Sequence, residues 1–356
     1  RGYVVSKKRP LKIAGMVAML SLVVAAILLR TAVLPEKQAT LKRTRLIMGM
    51  LVDITVVGEA DLQELSDIVD EAFAAVERVD RLMSVYREDS DVSRVNAAAG
   101  GEPVPVDPEV MTVLRAAKRY SDLTNGMFDV TVLPLVKAWG FMEGEQRVPD
   151  PATLQKALSV VSYRNVVLDE VAGTVRLTEP GMMLDLGGIA AGYAVDRAVD
   201  VLRSRGVFQA IINAGGDIFA LGASAEDKPW RVGVQHPLKR NEMLATTEVA
   251  DAAVATSGNY EKFFRIDDKR YCHIFDPRTG VPVEGMLSVT ILAKTAMEAD
   301  ALSTAVFVAG KEKGLALVEQ LADVEGVLVS YPPDGAETDY TVTVSSGLRG
   351  RLKELR

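Results

Sequence analysis

Residues 13–29, IAGMVAMLSLVVAAILL, form an uncharged run of 17 residues, and no other stretch constrains the chain as strongly. As a helix the run would be about 26 Å long, just short of a bilayer core of roughly 30 Å. A helix apolar on every face has to be buried, in protein or in lipid. Lys7, Lys8, Arg9 and Lys12 precede it, as in the basic flank of a secretory signal. A buried core helix does not suit a segment at the amino end behind such a cluster. No A-x-A cleavage site follows, Arg30 stands where one would lie, and no cysteine is near for lipid attachment. The expected order is a basic tail (1–12), an uncleaved single-pass signal anchor (13–29), a polar linker with Pro35 (30–45), a globular body (46–345) and a C-terminal tail (346–356). Five Lys/Arg lie on each side of the run, so the positive-inside count does not orient it.

The body is acidic. Six of the 41 Lys/Arg fall in residues 1–30, which hold no acid, leaving 35 basic against 48 acidic residues. That balance argues against a nucleic-acid partner, since neutralising phosphates needs surplus basic charge. One cysteine, Cys272, excludes an internal disulfide, and two histidines, His236 and His273, argue against a histidine-rich metal centre. A catalytic metal here would be held by oxygen, which favours a hard ion such as Mg2+.

The run LIMGMLVDITVVG from Leu46 has the β-branched content of a strand. Residues 60–86 repeat apolar positions at three and four, predicting an amphipathic helix. A second helix is predicted over 108–123 behind Asp107 as N-cap, and another from Asp150-Pro151. Residues 164–186 read as strands and turns, 189–205 and 298–322 as helices. Further strands are expected around 209–221, 230–236, 247–255, 262–275 and 286–293. No regular βαβ rhythm appears, so the expected class is α+β, with mixed, mostly antiparallel sheets packed with helices behind the N-terminal anchor helix.

Four stretches carry chemistry. Met83-Ser-Val-Tyr-Arg-Glu-Asp-Ser-Asp-Val-Ser-Arg-Val-Asn96 leaves a helix and gathers polar groups around Tyr86, which either stacks on a planar ring or closes a helix end. In Asn125-Gly-Met-Phe-Asp-Val-Thr-Val-Leu-Pro-Leu-Val-Lys-Ala-Trp-Gly140 a carboxylate, Asp129, sits in an apolar, strand-like run. It needs a partner there, either a backbone amide or a ligand. Leu184-Asp-Leu-Gly-Gly-Ile-Ala-Ala-Gly-Tyr-Ala-Val-Asp196 leads from strand to helix through glycines, a place where exposed amides suit phosphate. Asn213-Ala-Gly-Gly-Asp217 uses glycine similarly, and a tight strand connection explains it equally well. Last, His273-Ile-Phe-Asp-Pro-Arg-Thr-Gly280 is followed by Thr295-Ala-Met-Glu-Ala-Asp-Ala-Leu-Ser-Thr304, where Asp300 and Thr304 at i, i+4 share one helical face that a hard cation could bridge.

Together these stretches resemble the ApbE-type FAD:protein FMN transferases over about residues 46–345. The resemblance rests on seven elements in order: M-S-x-Y-R-x-D-S-x-x-S-R-x-N, G-x-F-D-V-T-V-x-P-L-V, D-L-G-G-I-A-x-G-Y-A-V-D, N-x-G-G-D-I, A-T-S-G-x-Y, H-I-x-D-P-x-T-G and M-E-A-D-A-L-S-T-A. It implies a Mg2+-dependent enzyme that takes FAD as substrate, moves FMN onto a threonine or serine hydroxyl of a partner protein and releases AMP. By family position, Asp300, Thr304 and the Gly188 carbonyl would bind Mg2+, and His273 would be the general base, with Asp276 orienting it or holding the turn. FAD would meet Met48, Tyr86, Met127, Phe128, Asp129, Asp185, residue 191, the backbone near Phe275, and Ser303.

Three positions depart from the family's habit. Met48-Gly49-Met50 stands for M-G-T, Ile189-Ala-Ala-Gly192 for I-A-K-G (Ala191 replacing a frequent lysine), and Phe275 for a smaller aliphatic. The resemblance also implies a body facing the periplasm from the cytoplasmic membrane, with flavinylated subunits of membrane electron-transport complexes as acceptors. An FAD pyrophosphohydrolase would use the same residues, and a non-catalytic FAD-binding protein is the reading from another class.

Overall fold

The computed structural model describes Gly2 and residues 39–58, 61–142, 144–239, 241–267, 269–332 and 339–354. The expected anchor at 13–29 lies outside these residues, and no helix among them is long and apolar enough to cross a membrane.

A hairpin of β1 (Ala39–Ile47) and β2 (Met50–Gly58) leads into α1 (Leu62–Met83) and α2 (Asp91–Ala97). Then follow β3 (Val104–Pro105), α3 (Pro108–Leu123), α4 (Leu133–Ala138), α5 (Pro151–Leu158), β4 (Val166–Asp169) and β5 (Thr174–Leu177). Helix α6 (Ala190–Ser204) returns the chain to β6 (Gln209–Ala214) and β7 (Asp217–Leu221). Next come β8 (Trp230–Gln235), β9 (Met243–Val249), β10 (Ala252–Gly258), β11 (Phe263–Ile266), β12 (Lys269–Cys272) and β13 (Met286–Ala293). Helix α7 (Ala296–Gln320), broken at Gly310 where φ is 77°, precedes β14 (Glu325–Ser330), β15 (Thr341–Val344) and β16 (Lys353–Glu354).

The main sheet has eight strands in the order β1-β2-β6-β7-β10-β13-β14-β15, every neighbouring pair antiparallel. The α+β expectation holds. Helices α1, α6 and α7 cover one face, and a three-stranded sheet, β16-β9-β8, covers part of the other. Strand β13 is therefore buried along its whole length: Val289 and Ile291 face the helices, Leu287 and Leu292 the second sheet. A strand packed on both faces loses the polar alternation that marks a half-exposed one.

The linker and the first strand need correction. Residues 39–45 belong to β1, and Met48-Gly49, with φ of 55° and 73°, turns the chain into β2. Two successive positive φ angles give the turn twist that suits a two-residue hairpin. The strand was hidden because its inward positions 43 and 45 are arginines. Arg43 and Arg45 both reach Asp70 of α1, at 2.7 and 2.6 Å, and Arg45 lies over the Phe73 ring. Their stems do the covering that apolar residues usually do. The C-terminal tail is likewise part of the body, since β16 pairs with β9 and Leu348 is fully buried. The strand-like run after Asp129 is a loop with α4 starting at Leu133, where Pro134 sits in the first turn.

The contact that positions the site is the crossing of α6 and α7. Asp196 accepts the Ala296 and Met297 amides at 2.8 and 3.0 Å, so α6 caps the amino end of α7. One turn earlier the Gly192 amide donates to Asp300 Oδ2 at 3.0 Å. A β-carbon at Gly192 would lie 2.2 Å from the Ala296 carbonyl oxygen, so only glycine permits this approach. Gly192→Ala is expected to destabilise the protein by about 3 kcal/mol, read as a lower urea midpoint at unchanged slope.

Candidate functional site

The Tyr86 stretch builds a loop with polar ties on both sides. Ser90 Oγ donates to the Ser84 carbonyl at 2.8 Å and accepts from the Ser93 amide at 3.0 Å, capping α2. Asn96 clamps Leu184, accepting from its amide at 2.6 Å and donating to its carbonyl at 3.0 Å. These ties hold the loop against the segment that carries Asp185, while Tyr86 itself is 69% exposed. Burial of its hydroxyl end, and then the charge of Asp185, raise the phenol above its usual range. A large aromatic left open at the edge of polar scaffolding suits stacking on a ring.

Asp129 resolves the other way. Its Oδ1 accepts from the Thr131 amide and hydroxyl at 2.8 and 2.6 Å, and Oδ2 accepts from the Tyr163 amide at 2.9 Å. Burial raises its pKa above the usual carboxylate range, and these bonds oppose the rise. The carboxylate organises its own loop, and Phe128 beside it is buried against Gly188. Met127 is half-buried at the start of that loop.

Asp300, 6% exposed, lies on the first turns of α7. Burial and then the neighbouring Asp196 push its carboxyl up to about 7, against the Gly192 amide bond. Asp217, half-buried at the start of β7, is pushed well up by burial and then by Asp300 and Asp196. No Lys or Arg among the described residues pairs with Asp300. Thr304, one turn on, has Oγ1 3.2 Å from Ser257 Oγ, which in turn lies 2.8 Å from Ser303 Oγ. Gly188 abuts the same threonine, since a β-carbon there would come within 3.2 Å of Thr304 Oγ1. The structure thus brings Gly188, Asp300, Ser303 and Thr304 together. Among the described residues no three His, Cys, Asp or Glu side chains converge to hold a metal. A cation at this place would need hydroxyl and carbonyl oxygens beside one carboxylate, a donor set that fits hard Mg2+. Charge relief for a buried acid without a basic partner is the local reason for one.

His273 is tied by the Lys262 carbonyl, which accepts its amide at 3.1 Å and lies 3.1 Å from ring Nδ1. A carbonyl only accepts, so Nδ1 carries the proton and Nε2 keeps its lone pair. Burial depresses the imidazole to about 4, so the ring is neutral at pH 7. Asp276 does not orient this ring. Its carboxylate takes Arg278 through Nε and Nη2 at 2.8 and 2.7 Å, and its carbonyl accepts the Gly280 amide at 2.8 Å, so it holds the turn. Burial raises Asp276, but Arg278 more than offsets that and leaves it below its usual range. Phe275 packs among Trp139 and Phe141, with centroids at 6.1 and 5.8 Å, which is the local reason for an aromatic here. His236 is half-buried, and its Nδ1 accepts the Leu238 and Lys239 amides.

Met48 stands out by its backbone. Among the described non-glycine residues with positive φ, the other five are Asn or Asp, whose short polar side chains tolerate that region. Holding a methionine there stores strain, a feature that concentrates at working sites. Ala191 is buried on the first turn of α6, and Asp185 accepts the Gly187 amide at 2.9 Å while burial raises its carboxyl. Reasoning from sequence assigned no role to Ser257, Asp196, Asp217 or Lys262. The first three lie inside the quoted motifs, so the signal was present, but only tertiary contact ties them to Asp300 and Thr304.

The chain and its fold are similar to those of known proteins. The sequence model of the ApbE family matches residues 48–328. A relative in Treponema pallidum, named FAD:protein FMN transferase, is 34% identical over 328 residues, covering 88% of this chain and 89% of the relative. The ApbE protein of Thermotoga maritima superposes with a TM-score of 0.80 at 33% identity, covering 89% of this chain and all of that one. The flavin transferase ApbE of Vibrio cholerae gives 0.77 at 32%, covering 88% of this chain and 99% of that one.

The depressed His273 has a consequence for stability. The unfolded histidine binds a proton near its ordinary 6.5 and the folded one only near 4, so stability falls as pH drops through that interval. His273→Gln removes this contribution, and urea titrations from pH 7 to 4 should show a shallower decline than in the parent protein.

Proposed function

The chain belongs to the ApbE family, and from that membership and the site geometry we propose that it transfers FMN from FAD to a partner protein. The acceptor group is a threonine or serine hydroxyl and the leaving group is AMP. The observation that carries the reading is the meeting of Gly188, Asp300 and Thr304; the exposed Tyr86, whose phenol feels the charge of Asp185, marks the rim of the proposed site.

FAD binds along that rim, with its ring on Tyr86 and its contacts drawn from Met48, the Met127-Phe128-Asp129 loop, Asp185, residue 191, the backbone at Phe275, and Ser303. Since the Asp129 carboxylate is already committed to Thr131 and Tyr163, its loop meets FAD through backbone atoms. The Gly188 carbonyl, Asp300 and Thr304 would hold Mg2+, which when bound neutralises charge on the pyrophosphate. His273 receives the hydroxyl proton at Nε2 as the acceptor oxygen bonds to the phosphorus of the FMN half. The bond from that phosphorus to the bridging oxygen breaks, and AMP leaves with the electron pair. A base already neutral, with its other nitrogen fixed on a carbonyl, has the tautomer this step requires. Residues 13–29 would anchor the protein in the cytoplasmic membrane with the body on the periplasmic side, where flavinylated subunits of electron-transport complexes are the natural acceptors.

Intact-mass spectrometry of an acceptor domain bearing the threonine motif, mixed with the full chain, FAD and Mg2+, tests the proposal. The acceptor should gain one FMN phosphodiester, and the rate should fall by about 10²-fold or more with EDTA or in Asp300→Ala. Free FMN and AMP beside an unmodified acceptor would mean hydrolysis instead, and FAD bound but intact would sink the enzyme.

A further inference from the structure

We infer that Lys262 is a substrate-binding cation that meets the FMN-side phosphate of FAD beside His273; the inference rests on the transferase reading. Lys262 directly precedes β11 and stands opposite His273, one step beyond the Phe263–Cys272 pair of the β11–β12 ladder. Directly opposed residues of an antiparallel pair project to the same face, which sets the ammonium beside the imidazole. The side chain is exposed, and among the described residues no carboxylate pairs with it. Its charge is nonetheless felt on two separate elements, at Asp185 ahead of the Gly187-Gly188 turn and at His273. One of those elements leads to the proposed Mg2+ ligand Gly188 and the other carries the proposed base.

The electrostatics call for such a group. Asp185, Asp196, Asp217 and Asp300 make this region of the molecule acidic, while the proposed substrate brings a doubly charged pyrophosphate. Ala191, buried on the first turn of α6, carries no charge that could meet it. An exposed ammonium with no carboxylate partner among the described residues has the reach and the freedom to meet a phosphate oxygen as a point charge. It also stays outside the carboxylate cluster, so it does not compete with a cation for Asp300.

Equilibrium binding of FAD, FMN and riboflavin, followed by flavin fluorescence without an acceptor, separates this role from a structural one. Lys262→Met should weaken FMN and FAD about tenfold while leaving riboflavin unchanged, and Lys262→Arg should keep most of the affinity. Added salt should narrow the gap between the parent and Lys262→Met. Equal losses for FMN and riboflavin, or no loss in a variant that melts at the parent temperature, would overturn the assignment of Lys262 alone. A parent protein that binds none of the three flavins would overturn the transferase reading and this inference with it.

Discussion

The docking of α7 on α6 is the contact on which the rest of the molecule depends. Three backbone amides are satisfied there by two carboxylates, Ala296 and Met297 by Asp196, Gly192 by Asp300. Hydrogen bonds to charged acceptors are worth about 1.5–3 kcal/mol each, so the crossing is held more firmly than apolar packing alone would hold it. The same bonds orient Asp300 and set the start of α7, which places Ser303 and Thr304 toward Ser257 and Gly188. Stability and site geometry therefore share one set of atoms.

That sharing has an electrostatic cost. Burial raises Asp196, Asp217 and Asp300; the charge of Asp196 adds to the rise at Asp300, and both add to it at Asp217. The molecule keeps this strain where a divalent cation would relieve it, and keeps neutral His273 on a different element, beside Lys262. Held apart from the carboxylates, the imidazole is not drawn into an ion pair with them and stays neutral.

Legibility differed from one part of the chain to another, for identifiable reasons. Helices α1, α3, α6 and α7 were readable because each carries a strong apolar period or a capping residue such as Asp107 or Thr295. Strand β1 was not, since Arg43 and Arg45 occupy its inward face and are balanced by Asp70 across the interface. The turn at Met48-Gly49 lacks the usual Asn-Gly signal, so two strands read as one. In the site, Asp300 and Thr304 were legible from i, i+4 spacing, whereas Asp276 was assigned too much: Arg278, two residues away, already takes its carboxylate.

By itself the sequence determined the α+β class, the acidic body, the scarcity of cysteine and histidine, and the family, through short motifs whose residue types match one chemistry. These are local properties, written in period, composition and spacing. Only the tertiary structure decided that Asp129 serves its own loop, that the Lys262 carbonyl sets the His273 tautomer, and that Asp196 and Ser257 support Asp300 and Thr304. Each depends on a partner 11 to 100 residues away, brought within about 3 Å by packing, and hydrogen-bond geometry at that range has no signature in the order of the residues.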